Sequence, residues 1–270
     1  MTIHKPTTAT LPPIYPNEGL IIAYQRKLVA MVRQLEKSLN GPLLDEYKAN
    51  PPELAMDASL VKMMQQLIKR QRRKWNKDYT QTAIDIAKHY TMAVLDRVDG
   101  ALEAAADKLG MTVQFKMTEA MREAVNATIG EQVALIQSIP EQHFSKIEAA
   151  VMRGVQHGRN WKQITDDVQE IGDTTRKRAK FIARDQMNKS TAVITRERQR
   201  SMGCTHAQWL HSAGGKTKRP SHVEASKNKL VYEIDKGAFL EDIGGKWDFV
   251  WPGTAIGCRC TSLAVIPLKG

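Results

Sequence analysis

The chain has 270 residues, 40 Lys and Arg against 29 Asp and Glu, a net charge of +11 and a pI near 9.6. That length buries a core in one large or two ordinary domains, and the positive surplus favours an anionic partner, either nucleic acid or an acidic protein surface. Three cysteines do not make a disulfide framework and suit a reducing cytosolic setting, no apolar run reaches the roughly 18 residues of a membrane span, and residues 1–16 lack the apolar stretch of a secretory signal.

Residues 1–16 read as an extended, proline-bearing flexible arm. Ile21, Tyr24, Leu28, Met31, Val32 and Leu35 then recur at helical spacing, predicting a helix over 20–39 that Asn40-Gly41-Pro42 ends. After Asn50-Pro51-Pro52, the face marked by Leu60, Met64, Leu67, Trp75 and Tyr79 continues through Ile86, Tyr90, Ala93 and Val98 to about Leu109. It is one long helix or a broken pair, stopped by Gly110, and residues 111–115 form a short β element or a loop. Thr118 opens a further helix to about Ala134. Ser138-Ile139-Pro140-Glu141 has the spacing of a capping box with an early proline and starts the next, which Gly158 ends. Asn160 with Gln163 frames a short helix closed by Gly172, and Asp173 caps a helix over 174–202 stopped by Gly203. Beyond Gly203, short β-like runs at Gln208-Trp209-Leu210, 230–234, 248–251 and 259–266 alternate with loops. The fold class is predominantly α: a long-helix N-terminal body followed by a small C-terminal α+β module.

The chemistry-bearing residues concentrate near the C-terminus. Cys258 and Cys260 project to one face if their segment is extended, with Arg259 opposite, and His222 joins them as a convergent metal candidate. A closed zinc site needs four ligands; Cys204, His206 or His211 would supply the fourth. The alternative is two thiols packed as small apolar side chains with His222 bonded to backbone. The packing alternative is preferred because structural zinc pairs are usually two to four residues apart. The cofactor expectation is therefore none, or one structural zinc. Arg219 and Arg259 read as guanidinium ties for loop carbonyls or a carboxylate in preference to phosphate contacts. Arg70, Arg72, Arg73 and Lys74 on one helix, and Arg176, Lys177 and Arg178 on another, form two basic clusters. They suit salt-sensitive, sequence-blind contact with double-stranded DNA, or a solvated helix face. Gly214-Gly215-Lys216-Thr217 lacks the earlier glycine of a phosphate loop. No catalytic triad is legible, and the chain reads as a non-enzyme with no small-molecule substrate.

From Ala183 onward the chain resembles the C-terminal module of the phage Mu F-like minor head proteins, the phage head morphogenesis family. The resemblance is carried by Ala183-Arg184-Asp185-Gln186, Gly203, Trp209, the 212–222 stretch with Arg219-Pro220-Ser221-His222, Trp251-Pro252-Gly253, Gly257-Cys258-Arg259-Cys260 and Pro267. It divides the chain into the arm 1–16, a helical body 17–164 and a head-morphogenesis module 165–270, and marks Arg219, Trp251, Gly257 and Arg259 as structural motif positions. Two departures stand out: Gly257 replaces an asparagine common in the family, and Lys227-Asn228 stands where a glycine is common. The resemblance implies a minor head (capsid) protein of a tailed bacteriophage, acting in procapsid morphogenesis at the portal. Its expected partners are portal, capsid or scaffold proteins and packaged DNA, and its expected location is the virion, after assembly in the host cytoplasm. The alternative is a zinc-dependent nuclease or toxin-like effector built on the His222, Cys258 and Cys260 cluster.

Overall fold

The computed structural model describes residues 8–49, 58–156, 161–212, 218–241 and 244–267. Four long helices dominate: α1 (Glu18–Ala49), α2 (Ala58–Asp107), α3 (Glu119–Gln156) and α4 (Trp161–Ser201), with β1 (Thr8–Thr10) before them. The C-terminal part contains β2 (His206–Leu210), α5 (Pro220–Lys227), β3 (Val231–Glu233), β4 (Ala238–Glu241), β5 (Trp247–Val250) and β6 (Thr261–Pro267). The predominantly α fold with a small α+β module is as the sequence implies.

The chain forms two compact units from interleaved segments, where the sequence suggested consecutive ones. The first contains Ile22–Lys88 and Gly130–Ala183; the second contains Met1–Ile21, His89–Ile129 and Arg184–Gly270. In the first unit every described element is helical. Tyr24, Leu28, Val32, Leu35 and Leu39 of α1, Met64 and Ile68 of α2, Ile139, Phe144 and Ile147 of α3, and Ile164, Ala179 and Ile182 of α4 are buried. The faces predicted for α1 and α2 are thus the buried ones, and α2 is one helix and not a pair.

Several sequence stop signals are overridden here. Pro42 lies inside α1 and Pro140 inside α3, although an interior proline costs roughly 3 kcal/mol in a helix. Burial explains both: Leu39 and Leu43 extend the α1 face across Pro42, and Ile136, Ile139, His143 and Phe144 surround Pro140. Ser138 does not cap a new helix; its hydroxyl donates to the Leu135 carbonyl within α3. Gly172 does not end a helix either; it lies inside α4, where the Glu36 carboxylate occupies the place of a Cβ. Asp173 pairs with Arg176 one turn on and caps nothing. Thr118 does cap α3, accepting from the Met121 N–H at 3.2 Å. Residues 111–115 are loop. Gly158 and Asn160 lie outside the described residues.

The second unit is built on an antiparallel sheet in the order β1-β6-β2-β3, with β4 and β5 forming a separate hairpin. Trp209, Ala207, Ala264 and Ile266 of the sheet are fully buried, as are Leu102 of α2 and Ile194 of α4. Gly203 ends α4 as expected: its φ of 80° suits glycine, and the Cys204 N–H closes back on the Gln199 carbonyl at 3.0 Å. The flexible arm expected over 1–16 is corrected for its described part. Thr8, Ala9 and Thr10 pair with Pro267, Ile266 and Val265, Leu11 is wholly buried, and its N–H donates to the Ala264 carbonyl. An apolar residue beside an open β6 edge is reason enough for the segment to add a strand. β4 and α5 went unread in the sequence, each being too short to show a period.

Candidate functional site

The register of β2 and β6 sets the site. Leu210 pairs with Thr261, so the next antiparallel positions, His211 and Cys260, face one another as the strands end. His211 Nδ1 accordingly lies 3.4 Å from Cys260 Sγ. His222 comes from the first turn of α5, where Pro220 occupies a position that needs no N–H. Its Nδ1 lies 3.6 Å from Cys258 Sγ and 3.7 Å from Cys260 Sγ. The three ligand-type atoms of His222, Cys258 and Cys260 fall within 4.8 Å of one another, and all three cysteines of the chain are free. The structure thus brings together the three residues the sequence singled out. The alternation argument holds in outcome: Cys258 and Cys260 are buried and Arg259 is not, although the strand proper starts only at Thr261.

The motif residues around the cluster hold it in shape. Asp185 of α4 accepts from the Gly257 N–H, and Asn188 one turn on donates to the Cys258 carbonyl at 3.3 Å. That is the physical content of the Ala183-Arg184-Asp185-Gln186 signature. Gly257 has φ of 70°, a conformation asparagine also tolerates, which accounts for the exchange noted above. Gly253, at φ of 84°, sits so close to α4 that a Cβ would come within 2.8 Å of Ala192. Arg219 donates to the Ile256 carbonyl at 2.9 Å, the structural role expected of it. Trp251 donates to the Ile234 carbonyl and lies under the Arg196 guanidinium at 4.6 Å. Arg259 lines a cleft with Tyr232 and Trp251. Ser221 donates to the Glu241 carbonyl and Ser226 accepts from the His211 N–H, fixing α5 from both sides. Trp209, fully buried, meets the His222 ring edge-on at 4.8 Å between centroids.

Hydrogen bonding from Cys260, then from His222 and the backbone, pulls the Cys258 thiol well below its ordinary value. Cys260 is pushed up, first by that same bond and then by burial. Such a pair can ligate or donate; a nucleophile also needs access. His222 and Cys258 are each 4% exposed, and the cleft reaching Cys260 holds about 20 Å³, room for a water and no substrate. Cys204 and His206 lie at the far end of β2 from His211, which at about 3.3 Å per residue is well outside ligand range. Burial pushes the Cys204 thiol up to about 11.

The two basic clusters separate differently from the sequence expectation. Arg72 is turned inward, 3.2 Å from Glu148 and over the Phe144 ring. Arg176 pairs with Glu36 and Asp173, and Arg178 donates to Ser138 at 2.8 Å while burial lowers its pKa. These three DNA candidates are each engaged by partners within the protein. Arg70, Arg73, Lys74 and Lys177 remain exposed. Further along α4, Arg184 pairs with Glu18, Lys189 with Asp185, Arg200 with Glu197 and Asp235, and Arg198 with Asp99. Asp185 and Glu197 are visible in the sequence as the opposing charges of this run, whereas Glu18, Asp99 and Asp235 come from distant segments that no local pattern links to it. Among the described residues no helix is long and apolar enough to cross a membrane.

The chain is 30% identical over 158 residues to an uncharacterized protein of Haemophilus influenzae, a stretch covering 58% of this chain and 33% of that relative. The chain therefore spans about a third of the length of the curated relative it matches. No solved structure matches it. Residues 145–263 match the family described as phage Mu protein F like protein, a span containing α5, five of the six strands at least in part, and the whole His222, Cys258 and Cys260 cluster. That part of the chain, with its Asp185-anchored Gly257-Cys258-Arg259-Cys260 turn, is similar to the phage Mu protein F like family.

Proposed function

We propose that this protein is a non-enzymatic minor head protein of a tailed bacteriophage, acting in head morphogenesis where the portal joins the shell. The observation that carries the reading is the family match over 145–263. The motif residues support it by what they do: Asp185, Asn188, Gly253, Gly257 and Arg219 all serve to hold one turn in place. A motif set spent on architecture fits an assembly part. The hairpin also supports it, because Phe239, Trp247 and Phe249 cluster there while more than half exposed. Contiguous aromatic surface of that kind is a common mark of protein contact. On this reading the partners are portal, capsid or scaffold subunits, and assembly occurs in the host cytoplasm before the protein enters the virion. Packaged DNA is a further contact, through the exposed Arg70, Arg73, Lys74 and Lys177. The nuclease alternative has less support, since its histidine and thiols are buried without space for a substrate.

The test is genetic and structural. A phage carrying a nonsense codon early in this gene is grown in a non-suppressing host, and particles are counted and imaged. Loss of filled, infectious heads, restored by the gene in trans, is expected. Normal filling and infectivity without the protein would overturn the proposal.

A further inference from the structure

We propose that His211, His222, Cys258 and Cys260 form a tetrahedral zinc(II) site that fastens together the end of β2, the start of α5 and the segment leading into β6. The argument is independent of the assembly role. With zinc–sulfur bonds near 2.3 Å and zinc–nitrogen bonds near 2.0–2.1 Å, a tetrahedral angle places nitrogen and sulfur ligands about 3.6 Å apart. The nitrogen–sulfur separations here are 3.6 Å and 3.7 Å from His222 and 3.4 Å from His211. Thiol packing explains this less well. The Nδ1 atom of His222 has a single lone pair and accepts one S–H, yet it stands almost equidistant from two sulfurs. A shared ion between them produces that arrangement directly.

His211 is the next donor beside the set; it stands outside the 4.8 Å group formed by His222, Cys258 and Cys260, so its ring closes in on the ion to become the fourth ligand. Its backbone N–H is held by Ser226 at 2.9 Å, its Nδ1 faces Cys260, and its Nε2 is buried with no hydrogen-bond partner. The four residues come from three separate segments, which is why pairwise sequence spacing conceals the site. Two thiolates and two imidazoles form a soft donor set that selects zinc over magnesium or calcium. Binding takes both sulfurs as thiolates and leaves the histidines neutral, so the two thiolates balance the charge of the ion in a buried place. The ion also supplies what a unit with a short sheet and an eight-residue helix lacks, a link among elements too small to bury much apolar surface.

The experiment uses the full chain, purified without chelator, stripped with a strong chelator and refilled with one equivalent of zinc or cobalt(II). Metal content is read by mass spectrometry and geometry by the cobalt spectrum. About one zinc per chain is expected, with the intense visible bands of tetrahedral cobalt and a thiolate charge-transfer band. Cys258→Ser should halve that charge-transfer intensity, and Cys204→Ser should leave it unchanged. His211→Ala should weaken zinc binding by more than the tenfold to hundredfold that loss of an outer-shell partner costs. Retention of full affinity in His211→Ala would overturn the assignment of the fourth ligand. A refilled wild-type chain with no bound zinc, or with the pale spectrum of octahedral cobalt, would overturn the site and leave packed thiols. The wild-type result decides this even if a variant fails to fold.

Discussion

Two buried residues that show no role in the amino-acid sequence set measurable features of stability. His143 is 1% exposed, touches Thr175 Oγ1 at 3.0 Å through Nδ1, and has no partner at Nε2. Burial, then the nearby Arg176 and Lys146 cations, lower its pKa to about 4. Above the unfolded value of about 6.5 both states are neutral and nothing is lost. As pH falls towards the folded value the unfolded state binds the proton first, so stability drops by about 2–3 kcal/mol by pH 4.5. Urea midpoints at pH 7 and pH 4.5 should show that loss, and His143→Gln should remove most of it; an unchanged pH dependence counts against the assignment. Arg198 is the second case. It is 2% exposed, bidentate to Asp99 at 2.6 and 2.7 Å, bonded to the Lys116 carbonyl, and stacked over Phe115. Its place in a basic run suggests a solvent-facing or DNA-facing cation, because Asp99 lies 99 residues earlier and no local pattern links them. Removing one partner of a buried ion pair costs about 3–5 kcal/mol. Arg198→Leu should therefore lower the unfolding free energy by about 3 kcal/mol, and adding Asp99→Leu should recover much of it.

Helix faces were legible in the sequence because burial repeats along them: Ile21, Tyr24, Leu28, Val32 and Leu35 are each at most 1% exposed. Helix ends were less so. A proline or a capping pattern is a local preference of a few kcal/mol at most, and Leu43 beyond Pro42 or Phe144 beyond Pro140 outweighs it by burial. The cluster of His222 and the two cysteines was legible because its members are chemically rare; which further Cys or His lay near it was one of three alternatives until the β2–β6 register placed His211 beside Cys260. The least legible element was β1, whose three residues carry no period. Its consequence is testable. Leu11 is wholly buried beside β6, so Leu11→Ala should cost about 2–5 kcal/mol, measured by urea unfolding. No change would mean that the segment is detached in solution. The hairpin makes the opposite prediction. Phe239, Trp247 and Phe249 each stand more than half exposed, so replacing all three with serine should leave the urea midpoint nearly unchanged, surface changes usually staying within about 0.5 kcal/mol. Incorporation into phage particles should fall; if it does not, the hairpin is not the contact.

At the scale of the whole molecule, the interleaving of segments was beyond sequence reading. Each of α2, α3 and α4 contributes to both compact units, and continuous helices leave no linker signal for a boundary to follow. Charge shows the same difference between composition and arrangement. The net charge of +11 suggested two DNA-binding helices, but ion pairs with carboxylates one turn away and from distant segments engage much of the second. Arg70, Arg73 and Lys74 on α2 and Lys177 on α4 are among the cations that remain exposed, with Lys69, Lys77 and Lys180 beside them. Non-specific DNA affinity depends on phosphates neutralised, the slope of log affinity against log salt being about 0.9 per contact. Reversing Arg70, Arg73 and Lys74 to glutamate should then weaken duplex binding at low salt and flatten the slope by up to about 3. The melting temperature should hold, because these side chains are exposed. Arg72→Ala is the informative contrast: it leaves Glu141 and Glu148 without their guanidinium and should lower the melting temperature while barely changing the salt slope. Equal effects of the two changes on DNA binding would mean that the inward-facing Arg72 was assigned wrongly. Affinity indifferent to both would remove DNA from the partners of this surface and leave its charge to an acidic protein face.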